Sequence, residues 1–286
     1  MSLITLTTDF GTKDHFVGAV KGAIYTELAD AKIVDITHEI SPFNITETAY
    51  ILKNSYKSFP KGTIHIVGVD SELSENNKHI ALELDGHFFV CPDNGIISMI
   101  TSEIKPTKIV EINIHDRIES SFPVLDVFVQ VACFIARGGN LTVIGKEIKD
   151  FKKITEIKPK TNQQQNQIIG GIVYIDNYGN VITNISKKMF QEIGKGRNFK
   201  INAKKHSFSK IFSKYNEVAN NSAYSNQQYE GHKLALFNSA EYLEIAIYRS
   251  NLNTVGGASS LLGLEYRDTV TIDFINKPEQ EFTTLN

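Results

Sequence analysis

Long apolar runs are missing from this 286-residue chain, and no stretch approaches the length that spans a bilayer. Net charge is nearly missing too. Thirty basic residues face 32 acidic ones, leaving −2, so no basic surface for nucleic acid or an anionic membrane is expected. Cysteine is scarce: Cys91 and Cys133 each lie inside an apolar run and read as buried free thiols in a reducing compartment. That excludes a disulfide frame and a four-cysteine metal site. The N-terminus has no basic region, and its first apolar stretch is too short and too threonine-rich for a secretion signal. A cytoplasmic protein is the expectation. There is no Walker A loop, no HExxH and no Gly-x-Gly-x-x-Gly after the first strand. Eight dispersed histidines show no ligand spacing with one another or with a cysteine, so each reads as structural rather than as a metal ligand. What remains is an ordinary globular composition, 41% apolar and 22% charged, over a length that favours two domains.

The first half alternates strand and helix patterns. Leu3 to Thr8 is an apolar, β-branched run ending at Asp9, and Gly11 then turns the chain toward Asp14. Phe16, Val20, Ile24 and Leu28 fall four apart, which predicts an amphipathic helix of roughly 14 residues. Ala31 to Thr37 reads as a buried strand, and Ser41-Pro42 as the start of a second helix. Thr63 to Val69 is a further strand, again ending in an aspartate, Asp70. His79–Leu84 and His87–Val90 flank Asp85-Gly86, a strong hairpin signal. Asn94 suits a helix cap, Lys108 to Ile114 a strand, and Asp126 to Arg137 a helix stopped by Gly138-Gly139.

Composition shifts after Gly145, where lysine, glutamine and asparagine replace apolar anchors. The expected layout is an N-terminal α/β domain with a largely parallel sheet over 1–150, a linker over 151–167, and a smaller C-terminal β-barrel domain over 168–286. Its strands are expected at Ile168–Ile175, Val181–Ile185, Phe199–Ile201, Leu234–Phe237, Tyr242–Tyr248 and Thr269–Phe274. The polar stretch Asn216 to Gly231 reads as an extended loop.

The chemistry resides in polar residues at strand ends. Asp9 stands where open α/β sheets place their ligand crevices. With Asp14 nearby, it suits a metal, a cationic group or the two hydroxyls of a ribose, or serves as a turn or cap residue. Asp176-Asn177-Tyr178-Gly179-Asn180 lies between two β-rich runs and equally suits a hairpin turn or a binding loop.

Four motifs occur together in one order. They are Thr8-Asp9-Phe10-Gly11-Thr12-x-Asp14, Asp35-Ile36-Thr37-His38-Glu39-Ile40-Ser41-Pro42, Pro92-Asp93-Asn94-Gly95 and Asp176-x-x-Gly179-Asn180-Val181-x-Thr183-Asn184. In this the chain resembles the S-adenosylmethionine (SAM) hydroxide adenosyltransferases, relatives of the fluorinase and chlorinase, from about residue 3 to about 275. The resemblance implies an α/β domain followed by a β-barrel domain. It implies homotrimers with active sites between the N-domain of one subunit and the C-domain of its neighbour, and attack of a small nucleophile on C5′ of SAM without metal or cofactor. By that resemblance Asp9 holds the ribose hydroxyls, Asp14 supports the same turn, and Phe43 stands where the halogenases carry a tryptophan wall. Asp176 pairs with the methionine ammonium, Asn180 binds adenine, Tyr215 stacks on it, and Ser239 binds the methionine carboxylate.

Water-using members resemble one another in an Asp–Arg–His triad. Here the aspartate is Asp70, but the arginine position falls on Asn77, beside Lys78, and the histidine position on Pro123. Halogenation is disfavoured, because a carboxylate about 4 Å from a halide repels it by several kcal/mol at an effective dielectric near 20. The expected activity is therefore hydrolysis of SAM to adenosine and L-methionine, with Asp70, Lys78 and Asn77 at the nucleophile. The alternative is a non-catalytic or altered SAM- or adenosine-binding protein. A divalent-metal hydrolase built on Asp9 and Asp14 lacks a third ligand close in sequence.

Overall fold

A computed structural model of the chain describes residues 2–101, 104–114, 120–154, 158–219 and 230–275. The backbone divides into two compact units, Met1–Glu156 and Ile157–Asn286.

In the first unit the elements are β1 (Leu3–Thr8), α1 (Phe16–Glu27), β2 (Lys32–Thr37), α2 (Ile45–Ser55), β3 (Ile64–Gly68), β4 (His79–Leu84) and β5 (His87–Pro92). They continue with α3 (Ile96–Ile100), β6 (Lys108–Ile112), α4 (Val129–Ala136), α5 (Leu141–Ile144) and β7 (Gly145–Glu147). The strands form one sheet in the order β2-β1-β3-β5-β4-β6-β7. The four from β2 to β5 run parallel, and β4, β6 and β7 join through antiparallel pairs. Alternation along β3 explains the layering. Ile64 and Ile66 pack with Val20 and Ile24 of α1 and Val131 of α4, while Val67 and Val69 pack with Leu52 of α2 and Ile97 of α3. Helices thus cover both faces, as a parallel sheet requires.

This order positions the site. The chain leaves β1 for β2 on one side and comes back to β3 on the other, so the strand order reverses between β1 and β3. Open α/β sheets hold ligands at the carboxyl ends of the strands flanking such a reversal. Asp9 and Asp70 follow those two ends.

Local chemistry accounts for most boundaries. Asp85 and Gly86 join β4 to β5 with φ of 51° and 74°, the left-handed pair of a two-residue type I′ loop. Two expectations fail. β2 is the edge of the sheet and is largely exposed, because its outer side has no neighbouring strand in this unit, which its apolar run does not reveal. The second helix starts later than Ser41-Pro42. Asn44 caps it by accepting from the Glu47 N–H, and Glu47 Oε2 reaches back to the Ser41 N–H. The α4 region begins with a π-helical turn, Val124–Phe128, and ends where Gly138 takes φ of 84°.

A buried histidine pair lies in the same sheet. The Thr5 hydroxyl contacts His65 Nδ1 at 2.7 Å, and His65 Nε2 lies 3.2 Å from His87 Nδ1. Burial, then the neighbouring His87, pushes the His65 pKa from 6.5 down to about 3. Below pH 6.5 the unfolded chain therefore binds a proton that the folded chain refuses until about pH 3, and stability falls as pH falls through that window. Thermal melts from pH 7 to 4 should show a falling midpoint, and His65→Gln should flatten it. An unchanged slope would remove His65 as the cause.

The second unit contains β8 (Lys160–Thr161), β9 (Gln167–Ile175), β10 (Val181–Ser186), α6 (Lys187–Gly194), β11 (Asn198–Ala203), β12 (His206–Phe208), β13 (Lys233–Phe237), β14 (Tyr242–Ile247), α7 (Ala258–Leu262) and β15 (Thr269–Ile275). The pairings between these strands are antiparallel, in the order β12-β11-β15-β9-β10-β14-β13 with β8 on β9, a barrel-like sheet. β9 makes the corner: residues through Gly171 pair with β15, and Ile172 onward pair with β10. A side chain on Gly170 would meet Ile185 at 2.5 Å, and the Gly171 N–H donates to Asn184 Oδ1. At position 170 a side chain would require Ile185 and Asn184 to shift.

The stretch expected as linker is anchored along part of its length. The Lys152 N–H donates to Asp93, the Ile154 N–H to Ser98, and Lys160–Thr161 pairs with β9. The expected loop Asn216 to Gly231 begins inside a short 3-10 turn, Tyr215–Val218, and its residues 220–229 lie outside the described residues.

Candidate active site

In the first unit Asp9 leaves β1 and accepts the Phe43 N–H at 2.9 Å through Oδ2. Burial pushes its carboxyl above the ordinary value. The N–H groups of Phe43, Asp9 and Asp70 oppose that rise, and the charge of Asp70 adds to it. The two carboxylates therefore feel each other. Phe43 sits at φ 61° and is 71% exposed, and Asp70 sits at φ 47°. Such backbone angles cost a non-glycine residue energy and persist where surroundings over-determine them. Around Asp70 those surroundings are visible. Asn77 Nδ2 donates to the carbonyls of Asp70 and Glu72, Asn94 Nδ2 to that of Val69, and His79 Nε2 to that of Ser71.

The nucleophile candidates thus have unequal standing. Asn77 spends both amide hydrogens bracing the loop, while its buried Oδ1 has no partner within the protein. Lys78 is exposed, and its carbonyl accepts the Asp93 N–H. Asp14 is exposed on the turn before α1, and among the described residues no hydrogen bond joins it to Asp9. Among the described residues no group of three or more His, Cys, Asp or Glu side chains is arranged to hold a metal. Pro123 precedes the π-helical turn, next to Phe122, whose ring packs 5.3 Å from Phe10 and 5.4 Å from Phe16. A side chain on Gly68 would meet Val124 at 2.8 Å and Phe10 at 3.2 Å, so glycine lets these groups press against the end of β3.

In the second unit the turn Asp176–Asn180 joins β9 to β10. Asp176 Oδ1 accepts the N–H groups of Tyr178 and Asn180, and its Oδ2 accepts Asn180 Nδ2. That bond fixes the Asn180 amide, which is 4% exposed and leaves Oδ1 buried without a partner in the protein. An unpaired buried acceptor costs about 1–3 kcal/mol, which a ligand N–H would recover. The hairpin reading holds, since the turn joins the antiparallel β9 and β10.

Glu244 gathers the remaining residues. It lies 3% exposed on β14 and accepts the Tyr215 hydroxyl at 2.6 Å. Burial pushes its carboxyl upward and the charge of Asp176 adds to that, against hydrogen bonds from Tyr215 and Asn238. Asn238 closes the β13–β14 hairpin that carries Ser239, which is exposed. Sequence reasoning misses Glu244, because a glutamate in an alternating strand reads as an outward-facing residue. The 249–257 loop packs Leu252 against Gly179, beside Asn180.

Residues 4–145 match the SAM hydroxide adenosyltransferase N-terminal domain, and residues 170–271 match the corresponding C-terminal domain. The chain belongs to the SAM hydroxide adenosyltransferase family. It is 32% identical to an (R)-S-adenosyl-L-methionine hydrolase of Methanocaldococcus jannaschii, over 95% of this chain and 96% of that protein. It is 22% identical to a fluorinase of Actinopolyspora mzabensis, over 70% of this chain and 77% of that one. A crystal structure of an uncharacterised protein from Thermotoga maritima superposes with a TM-score of 0.80 at 27% identity, covering 95% of this chain and 99% of that one. In this chain Asp9, Phe43 and Asp70 meet in one unit, and Asp176, Asn180, Tyr215 and Glu244 are linked in the other.

Proposed function

We propose that the chain is a SAM hydrolase forming adenosine and L-methionine. The observation that carries the reading is Asp9 beside Asp70 at the strand reversal, in a chain of this family. Asp9 accepts the ribose hydroxyls at charge-assisted strength. Phe43 walls the ribose, and Asp14 steadies the turn. In the second unit Asp176 pairs with the ammonium of the substrate and Ser239 binds its carboxylate. Asn180 Oδ1 accepts from the amino group of adenine, and Tyr215, held by Glu244, stacks on the ring.

The oxygen of water attacks C5′ opposite the sulfur. The C5′–S electron pair passes to sulfur, leaving the neutral thioether of methionine, and the surplus proton leaves the new 5′-hydroxyl for Asp70 and then solvent. Asn77 holds the Asp70 loop in place, and Lys78 supplies a cation beside it. The reading needs no metal or cofactor. Purified protein incubated with SAM should release adenosine and methionine in equal amounts. Release no faster than without protein would sink the hydrolase reading.

A second reading, a SAM- or adenosine-binding protein without turnover, is favoured by one observation: Asn77 and Pro123 stand at the arginine and histidine positions, and Asn77 is spent on bracing. Calorimetric binding without product would select it. We further propose a cytoplasmic homotrimer with active sites at subunit interfaces and no nucleic-acid partner. Light scattering should then give a mass near three times the 32.0 kDa chain, and a monomer would contradict it. No helix among the described residues is long and apolar enough to cross a membrane.

A further inference from the structure

The shared stretch Asp35-Ile36-Thr37-His38 contributes no substrate contact to the proposed chemistry, yet it is built around the turn that carries Asp9. Four ties fasten this turn. The His38 carbonyl accepts the Gly11 N–H at 2.7 Å, the Ile40 N–H donates to the Thr8 carbonyl at 3.4 Å, and the Phe43 N–H donates to Asp9 itself. The fourth is a side-chain bond: Thr8 Oγ1 lies 2.7 Å from His38 Nδ1, with these residues only 1% and 5% exposed. Behind the ring, His38 Nε2 comes within 3.1 Å of Asp35 Oδ1, and Lys21 on α1 pairs with Asp35 Oδ2 at 2.6 Å. Nε2 lies at contact distance from the Asp35 carboxylate without a well-directed hydrogen bond to it.

The direction of the protons follows from Asp35. Asp35 Oδ1, 3.1 Å from Nε2, favours a ring hydrogen on that nitrogen, and Nδ1 then accepts the Thr8 hydroxyl. A line of polar groups therefore runs from the α1 surface through Asp35 and His38 to the residue preceding Asp9. An apolar pair would fill the same space without the cost of burying a hydroxyl and an imidazole. What the polar pair adds is direction, because a carboxylate that must meet two hydroxyls tolerates little misplacement.

We infer that His38 is the positioning residue of the ribose-holding turn, acting on Asp9 through the Thr8 hydroxyl. The inference rests on the hydrolase reading for its ligand, and adenosine is the probe. Thr8→Val and His38→Leu should each weaken adenosine binding about five- to tenfold. The double variant should be no weaker than either single one, since both remove the same bond. His38→Asn, whose Oδ1 can accept the Thr8 hydroxyl, should regain most of the affinity. For SAM, KM should rise while kcat holds. Hydrogen exchange should quicken in peptides covering 8–14 and stay unchanged in the second unit, a readout that needs no ligand. Near-wild-type affinity in Thr8→Val, or additive losses in the double variant, would overturn the inference while leaving the hydrolase reading intact. Wild-type protein that binds neither adenosine nor SAM would overturn both.

Discussion

Asp9→Asn should weaken adenosine binding about 100-fold and leave the fold at least as stable as before. A charge-assisted hydrogen bond contributes about 1.5–3 kcal/mol, and two such bonds to a ribose diol are at stake. The asparagine amide has one acceptor oxygen, already engaged by the Phe43 N–H in the position of Oδ2, and turns an N–H₂ toward the diol. A loss near 3 kcal/mol corresponds to about two orders of magnitude in Kd. Stability should move the other way. Burial and the charge of Asp70 raise the Asp9 pKa above its ordinary 3.8. A carboxyl with a raised folded pKa stabilises the fold below the unfolded pKa and loses that contribution as pH rises through the folded one. At neutral pH ionised Asp9 is thus a burden on the fold, which the amide removes. Calorimetry with adenosine and melts at pH 7 and pH 4 check both halves. Affinity within threefold of wild type, or a lower melting temperature at pH 7 alone, would refute this account of Asp9.

Asp70→Asn should lower kcat for SAM by about 10²–10⁴-fold and change KM little, the range associated with losing a general acid–base group. The substitution is a clean one here. Asparagine tolerates the left-handed backbone at φ 47° about as well as aspartate, and the braces from Asn77 and Asn94 hold backbone carbonyls. Alanine would add backbone strain to the lost carboxylate. Steady-state kinetics on Asp70→Asn, with the melting temperature recorded beside it, separates the two effects. An unchanged kcat would assign the water to another group.

Much of the fold can be read from local chemistry. The period of Phe16, Val20 and Ile24, the Asp85-Gly86 loop and the six β-rich runs of the second half all act over a few residues. The structure contains each of them. Other features depend on partners far away in sequence. Whether β2 is central or at the edge is decided by which strands lie beside it, and its own residues are compatible with either place. β8 and β12 are short and exist because β9 and β11 offer an edge. α6 did leave a local signal, the Ser186 cap with Phe190 and Ile193 on one face, but eight residues are too few for periodicity to stand out.

The site divides in the same way. Asp9 and Asp70 are visible in sequence because they end apolar strands, and the reversal between β1 and β3 gives that placement its meaning. The supports are long-range. Thr8 meets His38 across 30 positions, and Tyr215 meets Glu244 across 29. Asn77 shows the limit from the other direction. Its place in the arginine position suggests chemistry, whereas its two amide hydrogens hold the Asp70 loop.

The measurement that tests the central claim most directly is turnover of SAM in ¹⁸O-labelled water, followed by mass analysis of both products. Direct attack of water on C5′ predicts adenosine carrying one ¹⁸O at its 5′-hydroxyl and methionine carrying none. Unlabelled adenosine, label in methionine, or no adenosine beyond the control without protein would contradict it.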